Sequence, residues 1–74
     1  MNNYNTVLKQ IGINFKIERT KRNLSQESFA ELADVHRNYI GKIERGEQNL
    51  TVKTLVELAN ALEVPIENIL TFSD

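Results

Sequence analysis

Residues 24–46 read LSQESFAELADVHRNYIGKIERG and contain the signals of two short helices separated by a tight turn. Ser25 precedes a run of good helix formers, and its hydroxyl can accept hydrogen bonds from the free amides of a first helical turn. The apolar residues that follow recur at helical spacing: Phe29, Ala30, Leu32 and Ala33. The first half of the segment therefore predicts a helix that begins after Ser25 and buries one apolar face.

The turn is predicted at Asp34 and Val35. Aspartate bonds readily to nearby backbone and tolerates turn conformations, so that Val35 is left to fill the gap between the two helices. The second helix begins near His36 or Arg37. Gly46 follows its last turn, where glycine can take a positive φ at little cost.

The second helix has two faces of different chemistry. Ile40, Ile43 and Glu44 share the face that would pack against the rest of the fold. The opposite face carries polar and basic residues and one glycine: Arg37, Asn38, Gly41, Lys42 and Arg45. The side chains on that face are available to a partner outside the fold.

This segment resembles the Cro/repressor-type helix-turn-helix family, in which a Leu-Ser-Gln-Glu start, an apolar turn residue and an Ile-x-x-Ile-Glu-x-Gly ending recur. Within that family it is most similar to the small controller proteins of restriction-modification systems, on residues 36–40, 44–46 and 49–51. The resemblance implies an all-α fold, a compact five-helix lambda-repressor-like DNA-binding domain over residues 1–74. The helix-turn-helix occupies about residues 25–45, and its second helix is the recognition helix.

Another helix, which precedes the helix-turn-helix in the chain, is predicted over about Thr6–Arg22. It would bury Leu8, Ile11 and Phe15, although the apolar residues between Ile11 and Ile17 also alternate as in a strand. The helix is favoured because the two helices of the motif need a surface to pack on.

Two further helices follow the loop that begins at Gly46. Thr51 is a good N-cap for a fourth helix that ends near Glu63. Pro65 then enforces a boundary, because the residue before a proline is pushed toward extended geometry. A short fifth helix is predicted from about Ile66 to Leu70 or Phe72.

The net charge is −1, but the charges are unevenly distributed. Residues 1–45 contain eight basic and five acidic side chains, whereas residues 46–74 contain one basic and five acidic side chains. The basic half includes the helix-turn-helix, so we expect it to face phosphate and the acidic half to face away. An ordinary division of solvated charge is the alternative interpretation.

Other classes of protein have little support. The chain has no cysteine and a single histidine, so no metal site is expected. No nucleophile–base pair or phosphate-binding glycine loop indicates an enzyme, a cofactor or a small-molecule substrate. The start, MNNYN, lacks the regions of a secretory signal, and no apolar run approaches membrane length. We expect a cytoplasmic protein with no membrane partner.

Three residues of the recognition helix are predicted to contact bases. Arg37 lies at the end that enters the major groove, and its forked donors suit guanine O6 and N7. Asn38 can make paired hydrogen bonds to adenine or contact phosphate, and Lys42 lies about one turn beyond it on the same exposed side. The alternative is that these three form only the solvated face of an amphipathic helix.

Contacts with the DNA backbone are predicted for a second group: Gln26, Tyr39, His36, Arg22, Gln48 and Asn49. Gln26 begins the first helix of the helix-turn-helix, and the free amides of that helix also favour phosphate. The Tyr39 phenol could donate to phosphate, or its ring could belong to the rim of the core. His36 is also interpreted as a surface residue at a helix start. In controller proteins a basic residue often lies in the loop after the recognition helix, where this chain has Glu47 and Gln48. Gln48 can still hydrogen-bond to a base or a phosphate, but without the long-range attraction of a positive charge.

The resemblance implies a structural ion pair between Arg19 and Glu44, which would orient helices. It also implies a homodimer that binds a pseudo-palindromic operator in double-stranded DNA, with RNA polymerase as a further partner of an activator. The dimerisation helices are expected over about residues 51–72. Their apolar residues form the predicted interface: Val52, Val56, Ile69, Leu70 and Phe72. Alternatively, these residues close the core of the monomer.

Two functional hypotheses follow. The first is a homodimeric transcriptional regulator, either an activator or a repressor, of its own gene and an endonuclease gene. The second is a phage-type or antitoxin-type repressor that also binds a protein partner.

Overall fold

The computed structural model describes residues 2–72, which form five α-helices and no strand. The helices are α1 (Tyr4–Lys21), α2 (Gln26–Ala33), α3 (Arg37–Glu44), α4 (Val52–Ala61) and α5 (Ile66–Leu70). The all-α expectation is confirmed, and α1 begins two residues before the predicted start. The strand interpretation of residues 11–17 is wrong.

Side chains cap the first four helices. The capping residues are Asn3, Ser25, His36 and Thr51, each of which accepts a hydrogen bond from a first-turn amide at 2.9–3.1 Å. The caps at Ser25 and Thr51 were predicted, since hydroxyl side chains satisfy amides that have no partner within the helix.

The four connections share one backbone conformation. Each contains one residue with φ between 56° and 73°: Asn23, Asp34, Gly46 and Glu63. In each case the next residue donates its N–H to a carbonyl five positions earlier: Leu24 to Arg19, Val35 to Ala30, Glu47 to Lys42 and Val64 to Ala59. This ending satisfies carbonyl groups that a helix C-terminus leaves free. The predicted turn at Asp34 and the positive φ of Gly46 are confirmed.

The core lies between all five helices. Its fully buried side chains are Phe15, Phe29, Ile40, Ile43, Leu58, Leu62 and Ile69. Leu32, predicted on the buried stripe of α2, is exposed, as are Ile13 and Ile17 of α1. The prediction for Leu32 is therefore wrong. Ile13 is two residues from Ile11, which in a helix places it on the opposite side.

Asn14 attaches α5 to α1. Its Nδ2 donates to the backbone carbonyls of Ile69 and Thr71, both at 2.8 Å. These carbonyls lie at the C-terminal end of a five-residue helix, which leaves its last carbonyls without partners inside the helix. The buried amide therefore fixes the end of the fold that carries the predicted dimer surface.

Candidate nucleic-acid interface

The recognition helix α3 turns its polar face to solvent. Arg37, Asn38 and Lys42 are exposed, whereas Ile40 and Ile43 are buried. A shallow groove along the polar face is lined by Gln26, Arg37, Asn38, Gly41, Lys42 and Arg45. The structure thus brings the three predicted base-contacting residues together with Gln26, which was predicted to contact the DNA backbone.

Arg45 and Gly41 are groove residues that the sequence-based site omitted. A Cβ added to Gly41 would lie 3.1 Å from Nη1 of Arg45, so the guanidinium lies across α3 at the glycine. Nε of Arg45 donates to Glu47 at 3.1 Å. A signal for both residues was present, because positions 37, 41 and 45 recur at the four-residue spacing that shares one helix face.

A buried network beneath the groove joins α1, α2 and α3. Nε of Arg19 lies 2.6 Å from Oε2 of Glu44, and the two side chains are 10% and 3% exposed. Nη2 of Arg19 donates to Oε1 of Glu44, and Nε2 of Gln26 donates to the same oxygen, both at 3.0 Å. Nη1 of Arg19 donates to the Leu24 carbonyl at 2.7 Å. The ion pair that the resemblance implied thus orients the recognition helix on the rest of the fold.

His36 and Tyr39 have clear structural roles. The exposed His36 ring caps α3, because its Nδ1 accepts from the Asn38 amide at 3.0 Å. Tyr39 is half-buried and packs against the core. Contact of either residue with DNA stays a prediction.

The other predicted backbone-contacting residues do not line the groove. Nη1 of Arg22 donates to the carboxylate of Glu18 at 2.9 Å and to its backbone carbonyl at 2.7 Å, both on α1. In the loop after α3, Asn49 accepts from the Tyr4 hydroxyl at 2.7 Å, and Gln48 is half-buried. Tyr4 therefore holds this loop against the start of α1. For all three residues, contact with DNA stays a prediction.

The predicted dimer residues separate into two groups. Val52, Val56, Leu70 and Phe72 are 40–75% exposed. Ile69 is fully buried in the core of the monomer, so its assignment to an interface is wrong. A helix of five residues gives too little periodicity to show from sequence which side meets α1.

Within residues 2–72, no group of three or more His, Cys, Asp or Glu side chains could hold a metal ion. None of the helices described there is long and apolar enough to cross a membrane.

An exposed polar recognition helix, held at a fixed orientation by a buried ion pair, defines a helix-turn-helix DNA-binding domain. The helix-turn-helix family model matches residues 15–69, and the chain belongs to that family.

Among individual relatives, the chain is 47% identical over 58 residues to Control protein C.SmaI of Serratia marcescens, covering 78% of this chain and 69% of the relative. The crystal structure of the restriction-modification controller protein C.AhdI from Aeromonas hydrophila is similar, with a TM-score of 0.79 and 34% sequence identity. The match covers 84% of this chain and 94% of the C.AhdI chain. The crystal structure of the wild-type restriction-modification controller protein C.Esp1396I is also similar, with a TM-score of 0.78 and 32% sequence identity. The match covers 85% of this chain and 82% of that protein's chain. The chain is thus similar to restriction-modification controller proteins in both sequence and fold.

Proposed function

We propose that this chain is the controller protein of a restriction-modification system. It acts in the cytoplasm as a homodimer on a pseudo-palindromic operator that governs its own gene and an endonuclease gene. The observation that carries the proposal is the 47% identity to Control protein C.SmaI. The exposed groove of α3 supports it, because a helix of this kind lies in the major groove and one twofold dimer presents two such helices to two half-sites.

Each half-site is contacted by the exposed face of one recognition helix. Arg37 donates two hydrogen bonds to a guanine, and Asn38 pairs with an adenine or binds phosphate. Lys42 contacts a base one turn further along, while Gln26 binds the backbone and sets the register. Where the protein activates transcription, it also contacts RNA polymerase.

Nuclease footprinting of the region upstream of the chain's own gene tests this function. We expect two protected half-sites related by a twofold axis and centred about one duplex turn apart. A coding-region duplex of equal length is the control. The proposal would be contradicted if the upstream region showed no specific protection at protein concentrations that already protect the control duplex non-specifically. The antitoxin alternative instead predicts sequence-independent DNA affinity and a tight complex with the product of an adjacent gene.

A further inference from the structure

Glu27, in the first turn of α2, forms an ion pair with Arg37, the first residue of the recognition helix. Oε2 of Glu27 lies 3.2 Å from Nη1 of Arg37, and the two side chains are 63% and 65% exposed. The two helices are already joined by the turn at Asp34 and by the bond from Gln26 to Glu44. Exposed ion pairs contribute little to folding, so the fold does not require this one.

The Glu27 carboxylate lies where a DNA phosphate would be attracted. The free amides of a helix's first turn favour anions, and the neighbouring Gln26 lines the groove. A fixed negative charge at this place lowers the affinity for every duplex, because every duplex presents phosphates.

The ion pair occupies only part of the Arg37 guanidinium. Arginine has five N–H donors in a planar fork, and Glu27 accepts from Nη1 alone. The remaining donors can bind guanine while the carboxylate favours one orientation of the side chain, which lowers part of the ordering cost of binding. A phosphate that approached Arg37 would instead meet the repulsion of the carboxylate.

We infer that Glu27 is a specificity-determining residue. Its carboxylate orients Arg37 toward a base edge and disfavours the phosphate contacts that any DNA sequence offers. The inference rests on the proposed DNA-binding function and states how the groove separates operator from random DNA.

The test is Glu27→Gln, which keeps the shape of the side chain and removes its charge. Dissociation constants are measured for the footprinted operator and for a scrambled duplex. We expect affinity for the scrambled duplex to rise about five- to tenfold and affinity for the operator to rise less. The ratio of the two affinities would then fall by part of the discrimination that one paired guanine contact provides. In an Arg37→Ala background, Glu27→Gln should change both affinities by the same factor, because no guanidinium is left to orient.

Glu31→Gln is the matched control. Glu31 lies one turn further along the same helix, is exposed, and lines the cleft beside Arg37. It forms no ion pair within residues 2–72, so it places negative charge near Arg37 without orienting the guanidinium. Its substitution should leave the ratio of the two affinities unchanged. The inference would be overturned if the ratio of operator to scrambled affinity were the same in wild type and Glu27→Gln, or if Glu31→Gln changed that ratio as much as Glu27→Gln does. Either result would leave the proposed function standing. A wild type that binds both duplexes alike would overturn the proposed function together with the inference.

Discussion

Gly12 of α1 lies directly against the backbone carbonyl of Ile43, near the end of the recognition helix. A Cβ added to Gly12 would contact that oxygen and would lie 2.7 Å from the carbonyl oxygen of Glu44. These are backbone atoms of a packed helix, which cannot move aside as the end of a flexible side chain can. The close approach of α1 to the recognition helix therefore depends on the absence of a side chain at residue 12.

We expect Gly12→Ala to lower the free energy of unfolding by about 1–3 kcal/mol, because overpacking outweighs the better helix propensity of alanine. Gly41→Ala is the matched control, since its new methyl group would meet only the ends of Arg45 and Gln26, at 3.1 and 3.6 Å. Gly41→Ala should be as stable as wild type or more stable. Urea denaturation measures both variants. A Gly12→Ala protein with wild-type stability would contradict the packing argument.

The buried pair of Arg19 and Glu44 gives a second prediction. Glu44→Ala leaves a buried guanidinium without its carboxylate, and we expect the free energy of unfolding to fall by about 3–5 kcal/mol. The double variant Arg19→Met/Glu44→Leu should recover part of this loss, since no buried charge is left unpaired. Urea denaturation of the two variants and the wild type gives the comparison. If Glu44→Ala lowered the free energy of unfolding by less than about 1 kcal/mol, the pair would contribute no more than an exposed ion pair does, and the prediction would be wrong.

Local chemistry accounts for the parts of this fold that sequence predicted. Ser25 and Thr51 as caps, Asp34 in the turn and Gly46 after α3 each act within a few residues, so their effects can be recognised in a short segment. The contact of Gly12 with α3 could not be predicted in this way. It joins positions about thirty residues apart, and it depends on the angle at which two helices cross.

Within the candidate site, the same division holds. Arg37, Asn38 and Lys42 follow from the helical period once Ile40 and Ile43 are assigned to the core. The pair of Glu27 with Arg37 depends instead on how α2 and α3 are arranged around the turn, which a single sequence does not specify. The burial of Ile69 likewise depends on the side of α5 that meets α1.

Arg37 should determine which DNA is bound. We expect Arg37→Ala to cost about 1–3 kcal/mol on the operator and much less on a scrambled duplex, because a paired guanine contact is lost. Gln26→Ala should weaken both duplexes by similar factors, since a backbone contact carries no base information. Equilibrium binding of both variants to both duplexes separates the two roles. Unchanged affinity of Arg37→Ala for the operator would remove Arg37 from the set of base-contacting residues.

The last prediction concerns the exposed apolar residues of the C-terminal part of the fold. Leu70 is the last residue of α5 and Phe72 is the last residue that the structure describes, while Val52 and Val56 lie one turn apart on α4. Each of the four is at least 40% exposed. These large apolar side chains lie close together in the C-terminal part of the sequence, on α4, at the end of α5 and just after it, and a group of exposed apolar residues of this kind is typical of a protein–protein contact. A twofold dimer would bury them and would place two recognition helices on two half-sites.

We therefore expect Leu70→Asp/Phe72→Asp to be a folded monomer, because charged groups cannot be buried without partners. The operator should then bind far more weakly, since one recognition helix buries too little DNA surface for selective binding. Leu32→Asp is the matched control, because Leu32 is an exposed leucine on α2, outside the C-terminal helices, and its substitution should leave the dimer intact. Ile69 is left unchanged because its side chain belongs to the core. Sedimentation equilibrium measures the assembly state, and circular dichroism checks that each variant folds. A wild type that stays monomeric at tens of micromolar, roughly the weakest affinity useful to a regulator dimer, would show that these apolar residues do not mediate dimerisation.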